Sequence, residues 1–348
     1  MADVNIDADV TGLLHAFSGR GGPFWISTTV GYIIYVDSTN NLVWSKTENG
    51  GANWSAANEI VPAAVRGFDC WADWQTDGDA GTKIHIACVE DATDTVMYAY
   101  LDTSDDSEGT DTIEACQGTG TIRAFSSRAA HEISITKTRG GNLAVAFRYE
   151  DDAQTAFYGF YTSPDGDTWT SKNTPWEATD DHILLFPANL ADNQDLWAIF
   201  WDLDADEIDI KTFDNSGNSW AIQNIVGTML ESTFYLQMDG AIRFSDGHLI
   251  FTAWSRYDNA DSDLKCWDIT DAGTITAKTN LITDTAEYFL CSVLINQDND
   301  DIYVAYVGGA SAQSLTQARY QKSDDGGGTW SGDTYFRPML PMMKDGFR

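Results

Sequence analysis

Basic residues are scarce in this chain. Its 348 residues include 20 Lys and Arg against 53 Asp and Glu, which gives a formal net charge of −33. A field of that sign repels phosphate backbones and anionic lipid surfaces, so nucleic acid is not expected as a partner. It favours divalent cations and basic partners. Adaptation to saline surroundings, together with the common use of Asp in turns, is preferred over a specific cation site as the explanation of the charge.

Cysteine is also scarce, and no apolar run is long. The thiols show no Cys-x-x-Cys spacing and mostly fall inside apolar runs, which argues against a disulfide-built scaffold. No run reaches the length of a membrane-spanning helix, and the first residues show no basic region followed by an apolar one. We therefore expect no membrane insertion and synthesis without a signal peptide. The five cysteines are Cys70, Cys88, Cys116, Cys266 and Cys291.

Helical periodicity is almost absent, and short strand-like runs take its place. Six segments share one order: an apolar run, a turn, a second run ending in acidic or polar residues, and a third run. The runs are rich in Val, Ile, Tyr, Phe and Trp and are separated by Gly, Asn and Asp, which are strand and hairpin signals. The second and third runs are clearest in residues 32–46, 84–103, 143–163, 196–213, 249–270 and 302–323.

A turn motif follows four of the third runs. The most complete copy extends from Ser323 to Trp330, and weaker copies end at Trp54, Trp169 and Trp220. Short polar side chains can bond nearby backbone, Gly tolerates positive φ, and the Trp can fold back as an apolar plug. The residues predicted to build these turns are Thr47, Asn49, Gly51 and Trp54; Ser163, Asp165 and Trp169; Asn215, Gly217 and Trp220; and Ser323, Asp325, Gly327, Thr329 and Trp330.

The motif resembles the Asp-box (BNR) repeat, Ser/Thr-x-Asp-x-Gly-x-Thr-Trp, of sialidases and many other β-propellers. This resemblance implies an all-β, six-bladed β-propeller with four-stranded antiparallel blades. Spacing of roughly 50 to 60 residues between successive motif positions fits four strands per blade. The resemblance implies little about chemistry, because the box is a structural turn and propellers host unrelated functions.

The repeat continues through the middle of the chain without a Pro/Ser-rich linker, which favours one closed domain over two. We predict a single propeller over residues 1–336, followed by a C-terminal tail at 337–348. The N-terminal stretch is expected beside the sixth blade. The predicted blades cover residues 17–62, 63–125, 126–176, 177–228, 229–282 and 283–336.

The sialidase resemblance fails at the catalytic residues that can be compared. In that family the first blade begins with Phe-Arg-Ile-Pro, whose Arg helps to clamp the substrate carboxylate. Here the matching residues are Phe24 to Ser27, and Trp25 replaces the Arg. The family's acidic proton donor and its Tyr/Glu nucleophilic pair have no motif-matched positions either. A non-catalytic propeller is therefore favoured.

Other polar residues are predicted to converge on the face opposite the turn motifs, where the innermost strands begin. A His/Arg/Tyr group there could bind a uronic-acid carboxylate and abstract a proton, as a polysaccharide lyase does. The preferred explanation is more ordinary: each Arg pairs with an adjacent acid, each His caps a strand and each Trp packs in the core. The catalytic candidates are His131, His182, Arg66, Arg128, Tyr149 and Tyr257, and the binding candidates are Trp25, Trp71, Arg148 and Arg256.

A calcium loop is the one metal motif to weigh. Asp202, Asp204 and Asp206 begin like such a loop, but Glu207 stands where Gly is needed and Phe213 where the bidentate Glu belongs. A solvated acidic turn is the preferred explanation, with loose Ca²⁺ binding as the alternative. No other cofactor is predicted.

The tail at 337–348 differs from the rest of the chain, because it is basic, apolar and interrupted by Pro. It could dock on a neighbouring copy or another structural protein, or it could be a frayed terminus. The leading hypothesis is a non-catalytic binding or structural module on a virion surface: a phage tail, fibre-associated or capsid-decorating protein that binds glycan or neighbouring subunits. The alternative is a glycan-active enzyme, either a divergent exo-glycosidase or a lyase.

Overall fold

The computed structural model describes residues 4, 6–7, 20–62, 64–90, 95–115, 132–150, 156–176, 180–188, 192–202, 205–228, 237–254, 264–282, 287–309 and 315–335. Within these ranges the chain forms six four-stranded sheets, and within each sheet consecutive strands pair antiparallel. The only helical element described is a 3₁₀ turn at Asp73–Gln75. The predicted six-bladed β-propeller is confirmed.

Each blade uses four consecutive strands. The first blade contains β1 (Phe24–Trp25), β2 (Gly31–Val36), β3 (Leu42–Thr47) and β4 (Asn58–Val61), and the second contains β5 (Val65–Ala72), β6 (Lys83–Glu90), β7 (Thr95–Asp102) and β8 (Ser107–Ala115). The third contains β9 (Glu132–Lys137), β10 (Leu143–Glu150), β11 (Ala156–Ser163) and β12 (Thr170–Ser171), and the fourth β13 (Asp180–Pro187), β14 (Leu196–Asp202), β15 (Glu207–Asp214) and β16 (Ser219–Thr228). The fifth contains β17 (Gln237–Arg243), β18 (His248–Trp254), β19 (Leu264–Ile269) and β20 (Ile275–Ala277), and the sixth β21 (Glu287–Asn296), β22 (Asp301–Gly309), β23 (Leu315–Ser323) and β24 (Thr334–Tyr335).

The second strands of the blades show why the sequence folds in this way. In β14 the run from Leu196 to Trp201 is apolar at every position, and all six residues are buried. A strand in a half-exposed sheet would alternate, so an unbroken run indicates packing on both faces. Each such blade is stacked between two others. Burial of a large apolar side chain contributes about 1.5–3 kcal/mol, so these strands supply much of the stability.

The first strands of blades two to six contact one another in succession and form the centre of the ring. Connections that follow first and third strands open on one face, which we call the motif face. Connections that follow second and fourth strands open on the other, which we call the opposite face. Most of the described loops belong to the motif face.

The described N-terminal residues lie against the first blade, whereas the sequence suggested the sixth. Tyr35 Oη donates to Asp7 Oδ2 at 3.0 Å, and Ile34 N donates to the carbonyl of Gly21 at 2.8 Å. The inner edge of the first blade therefore continues back along the chain from β1. In the described part of the chain, no helix is long and apolar enough to span a membrane.

Three of the four predicted turn motifs share one hydrogen-bond pattern. In the sixth blade, Ser323 Oγ donates to Asp325 Oδ1 at 2.8 Å, Gly327 N donates to Ser323 Oγ at 2.8 Å, and Thr329 N donates to Asp325 Oδ1 at 2.8 Å. The φ of Gly327 is +88°, a conformation that favours glycine. The third blade repeats the pattern with Ser163, Asp165 and Gly166, and the first with Thr47, Asn49 and Gly51.

The fourth turn is built differently from the prediction. It joins β15 to β16 as a tight hairpin in which Asp214, not Asn215, accepts from Ser216 Oγ and from Gly217 N. The reason is that Phe213 occupies the position where the other turns have a hydroxyl, so no Ser or Thr can organise a longer loop.

Three tryptophans of these turns contact the preceding blade, and Trp169 also folds back on its own turn, because its Nε1 donates to the carbonyl of Gly166 at 3.0 Å. Trp330 Nε1 donates to the carbonyl of Thr279 in the fifth blade at 2.8 Å, and Trp220 Nε1 donates to the carbonyl of Asn173 in the third at 2.7 Å. The Trp169 ring packs 5.4 Å from that of Tyr98 in the second blade. Each of these indoles thus holds the blade that precedes its own.

Candidate functional site

The centre of the ring is filled by the side chain of Arg20. Its Nε donates to Asp69 Oδ1 at 2.9 Å, and its Nη2 donates to the carbonyl of Ile135 at 2.7 Å. Its guanidinium lies 4.8 Å from the centre of the Trp71 ring, within range of a cation–π interaction. One side chain from the first blade therefore contacts the inner strands of the second and third.

A second carboxylate, that of the half-buried Asp239 of β17, completes this central group. It accepts from the backbone N–H of Val293 at 2.9 Å and from that of Gly240 at 2.8 Å. Burial raises the pKa of Asp239, although these hydrogen bonds and the charge of Arg20 oppose that rise. The channel at this level is occupied by paired polar groups.

His182, a predicted catalytic residue, lies near the start of β13 and beside Glu132 of β9. The distance from His182 Nδ1 to Glu132 Oε1 is 2.8 Å. Both side chains are buried, with 4% of His182 and 3% of Glu132 exposed. From the sequence, His131 was predicted as a catalytic candidate. The residue that contacts His182 is the next one in the chain, Glu132.

Arg148, a predicted binding residue, belongs to the same region of the third blade. It pairs in register with Glu132 across β9 and β10, and its guanidinium lies 5.9 Å from the centre of the Tyr158 ring. Tyr149 follows it on β10, and Arg66 lies on β5. The remaining predicted residues on this face lie outside the described residues: His131, Arg128, Tyr257 and Arg256.

Trp71, predicted as a sugar-stacking residue, belongs to the core. Only 2% of it is exposed, and its Nε1 donates to Thr76 Oγ1 at 2.9 Å. Its ring meets that of Phe186 edge-on, with centroids 6.3 Å apart. With the Arg20 guanidinium over its ring and almost none of its surface exposed, Trp71 is not accessible for stacking on a ligand.

Trp25, the other predicted aromatic platform, is accessible. It is 40% exposed on the motif face, and its ring centroid lies 6.4 Å from that of Trp54 in an edge-on arrangement. A Cβ at Gly31, which pairs with Trp25 in register, would lie 2.7 Å from the indole. The absence of a side chain at Gly31 allows the ring to lie against the backbone.

The motif face also has a cavity at the mouth of the channel, of about 290 Å³. Its walls come from the turns that follow the inner strands of blades two, three and five, and from Pro187 at the end of β13. Arg139 and Asp77 lie on one side, with Nη2 and Oδ2 3.7 Å apart, and Phe244 and Asp246 lie in the turn of the fifth blade. The polar site predicted from the sequence was expected on the opposite face.

A largely buried polar group between the second and third blades was not found from the sequence. His85 Nε2 lies 2.8 Å from Asp73 Oδ1, and His85 Nδ1 lies 2.7 Å from Tyr98 Oη. Lys137 of β9 forms an ion pair with the same carboxylate. Burial opposes the charge of Asp73, but the bonds from His85 and Lys137 prevail and lower its pKa.

Solved structures of other proteins resemble this arrangement at low sequence identity. AofleA from Arthrobotrys oligospora is 11% identical, with a TM-score of 0.55 over 92% of this chain and 85% of that one. The Trypanosoma rangeli sialidase is 13% identical, with a TM-score of 0.51 over 80% of this chain and 50% of its own. A Hadza microbial sialidase, Hz136, is 13% identical, with a TM-score of 0.53 over 84% and 62%. These likenesses show the fold. No protein-family model and no curated protein matches the sequence.

The acidic turn after β14 does not gather metal ligands in the part that is described. Asp202 Oδ1 accepts from the backbone N–H of Ala205 at 3.0 Å, and Asp206 has a φ of +56° in the turn itself. Asp204 lies outside the described residues. Across the described ranges, no group of three or more His, Cys, Asp or Glu side chains is arranged to hold a metal ion.

Proposed function

We propose that this chain is a non-catalytic carbohydrate-binding propeller. The observation that carries the proposal is the exposed indole of Trp25 on the motif face. The ring packs edge-on against Trp54 and lies over Gly31, which has no side chain. A rigid aromatic ring presents a large apolar surface at low entropic cost and suits the C–H face of a sugar. The sialidases that share this fold support a glycan as the ligand class, by analogy of fold.

The state of the catalytic candidates supports binding without turnover. His182 is buried with its Nδ1 2.8 Å from Glu132 Oε1, and Arg20 with Asp69 occupies the centre of the channel. A general base must reach the proton that it removes, within about 3 Å or through one water. Side chains enclosed in this way mainly connect the inner strands to one another.

A glycan array tests this proposal directly. We expect the protein to bind a subset of glycans and to release no sugar from them. Trp25→Ala should weaken binding by roughly tenfold or less, because the stacking of one aromatic ring is worth about 0.5–1.5 kcal/mol. Tyr335→Ala is the matched control, since Tyr335 is also exposed, at 53%, but lies on the outermost strand of the sixth blade. Absence of binding across the array would overturn the proposal.

A glycan-active enzyme is the second candidate, and the Glu132–His182 pair is the observation that favours it. A carboxylate 2.8 Å from an imidazole is the arrangement that orients a general base. Products released from a panel of glycans, and lost in His182→Ala while binding persists, would establish this function in place of the first.

The proposed setting is a virion surface, and the composition of the tail at 337–348 supports it. The segment combines Arg and Lys with Met, Pro and Phe, on a chain whose net charge is −33. Basic and apolar residues together suit docking on an acidic or apolar neighbouring subunit. Deleting 337–348 should abolish incorporation into particles while leaving glycan binding intact. Equal incorporation of the shortened chain would remove the support that the tail gives.

A further inference from the structure

The cavity on the motif face combines charged and apolar walls. Arg139 and Asp77 are 30% and 39% exposed, so their polar ends reach the solvent side of the cavity. The opposite wall is the turn of the fifth blade, where Phe244 is partly exposed and Asp246 is 36% exposed. Pro187 and Ile242 add apolar surface. At about 290 Å³ the space lies at the small end of the range for ligand sites, roughly 300–1,000 Å³.

Two glutamines fix the turns that carry these side chains. Gln194 Nε2 donates to the carbonyl of Gly140 at 3.0 Å, and Gln194 Oε1 accepts from Thr138 Oγ1 at 2.8 Å, which holds the turn of Arg139. Gln297 Oε1 accepts from Phe244 N at 2.9 Å, and Gln297 Nε2 donates to the carbonyl of Ile242 at 2.8 Å. In both cases the next blade supplies the glutamine. The cavity is therefore held in shape before any ligand arrives, which lowers the cost of binding.

The carboxylate of Asp246 is also fixed in position. Arg243 donates to it through Nε at 3.0 Å and through Nη2 at 2.6 Å, and the backbone N–H of His248 donates at 3.1 Å. Arg243 is held in turn by Asp268, 3.3 Å away. This network orients one acidic acceptor at the rim while Asp77 provides another across the cavity.

The arrangement matches the chemistry of a sugar ring. Vicinal hydroxyls donate to carboxylates and accept from a guanidinium, which carries five N–H donors, while the C–H face of the ring packs on an aromatic side chain. Two carboxylates at the rim and a net charge of −33 disfavour an anionic ligand. A phosphate or an acidic sugar is therefore a poor fit.

We propose that this cavity is a binding site for one uncharged pyranose residue, with Asp77, Arg139 and Asp246 contacting its hydroxyls and Phe244 packing on its ring. The assignment rests on the proposed carbohydrate-binding function and adds a location and a ligand class to it. It differs from the predicted site on the opposite face and from Trp25, and it is tested separately from both.

Free methyl pyranosides provide the test, because they need no larger glycan. We would measure saturation-transfer NMR and titration calorimetry with methyl glycosides of glucose, mannose, galactose, fucose and N-acetylglucosamine, and with glucuronate and sialic acid. We expect at least one uncharged sugar to bind and the acidic sugars not to bind. Phe244→Ala should weaken binding roughly three- to tenfold, and Asp77→Asn by roughly tenfold or more. Asp324→Asn, an exposed change in the turn motif of the sixth blade, should have no effect.

The outcomes separate the two proposals. If array binding is lost in Trp25→Ala but unchanged in Phe244→Ala and Asp77→Asn, the carbohydrate-binding function is supported. The assignment of the cavity as a sugar site is then overturned. Preferential binding of glucuronate or sialic acid would overturn the ligand class. Failure of every free pyranoside to bind would overturn the site, whatever the array shows. A loss of unfolding cooperativity in Asp77→Asn would leave Phe244→Ala, whose side chain is already partly exposed, to decide the question.

Discussion

The guanidinium of Arg20 and the carboxylate of Asp69 form a two-point ion pair at the centre of the ring, with Nε donating to Oδ1 at 2.9 Å and Nη2 donating to Oδ2. The side chain of Asp69 is completely buried, and it also accepts from the backbone N–H of Ile135 at 2.9 Å. The same Arg20 donates to the carbonyls of Ile135 and Leu185. This one pair therefore connects the inner strands of three blades to the chain segment that begins the first.

We expect Arg20→Met to lower the free energy of unfolding by about 3–5 kcal/mol, because it leaves a buried carboxylate without its cation. Urea unfolding followed by tryptophan fluorescence measures the change. The double variant Arg20→Met with Asp69→Leu removes both charges and should recover part of the loss. A loss below about 1 kcal/mol in the single variant would show that the ion pair is not the central support.

The His85 imidazole predicts a loss of stability in mild acid. Burial lowers its pKa, although the hydrogen bond and charge of Asp73 oppose this, so the folded state binds a proton less readily than the unfolded state. As the pH falls below the unfolded value of about 6.5, protonation favours unfolding. The free energy of unfolding should decrease between pH 7 and pH 5, and the decrease should be smaller in His85→Gln. Identical slopes for the two proteins would contradict this assignment.

The turn of the sixth blade predicts a separate effect at lower pH. The backbone N–H of Thr329, followed by its hydroxyl and that of Ser323, lowers the pKa of Asp325 to about 2. The stabilisation is complete above the unfolded value of about 3.9 and disappears as the pH falls through about 2. Asp325→Asn should lower the melting temperature at pH 7 and match the parent near pH 2. Asn fits the turn, since Asn49 occupies the same position in the first blade. Asp324→Asn, the exposed neighbour, should leave both values unchanged.

The sequence predicted the fold because its signals are local. Apolar runs such as β14 specify strands, and Gly at positive φ and Ser or Asp specify turns. Each of these signals depends only on residues a few positions away in the chain. The same reasoning misplaced the fourth turn, since Phe213 removed the hydroxyl that organises the others. The inter-blade role of Trp220 and Trp330 could not be predicted either, because each bonds a carbonyl about 50 residues away in the preceding blade.

The candidate sites depend on contacts between distant parts of the chain. Arg20 and Asp69 are 49 positions apart, and neither lies in a motif. The position of His182 at the start of a strand made it a candidate. The sequence did not predict its neighbour Glu132, because His131 was the candidate named at that strand start. Trp71 was named as a possible platform because it lies near an inner strand, but core packing was the preferred interpretation and its burial agrees with that. The cavity could not be predicted from sequence, because it exists only where turns of several blades meet.

The thiols give a prediction that tests the packing of the inner and second strands. Cys70, Cys88, Cys266 and Cys291 are all buried and free. Burial raises the pKa of Cys88 and of Cys266 to about 12, and it raises the pKa values of Cys70 and Cys291 as well. Since the thiolate is the reactive form, these four should resist alkylation at pH 8. Cys116 lies outside the described residues.

We therefore expect the native protein treated with iodoacetamide to gain at most one adduct by intact-mass spectrometry, and the protein in guanidinium to gain five, one for each cysteine of the chain. Peptide mapping identifies the sites. Arg20→Met offers a useful comparison, because opening of the centre should expose Cys70 on β5 before Cys266 on β19. Labelling of Cys88 or Cys266 in the folded parent at the rate of the denatured chain would show that the blades do not pack as described.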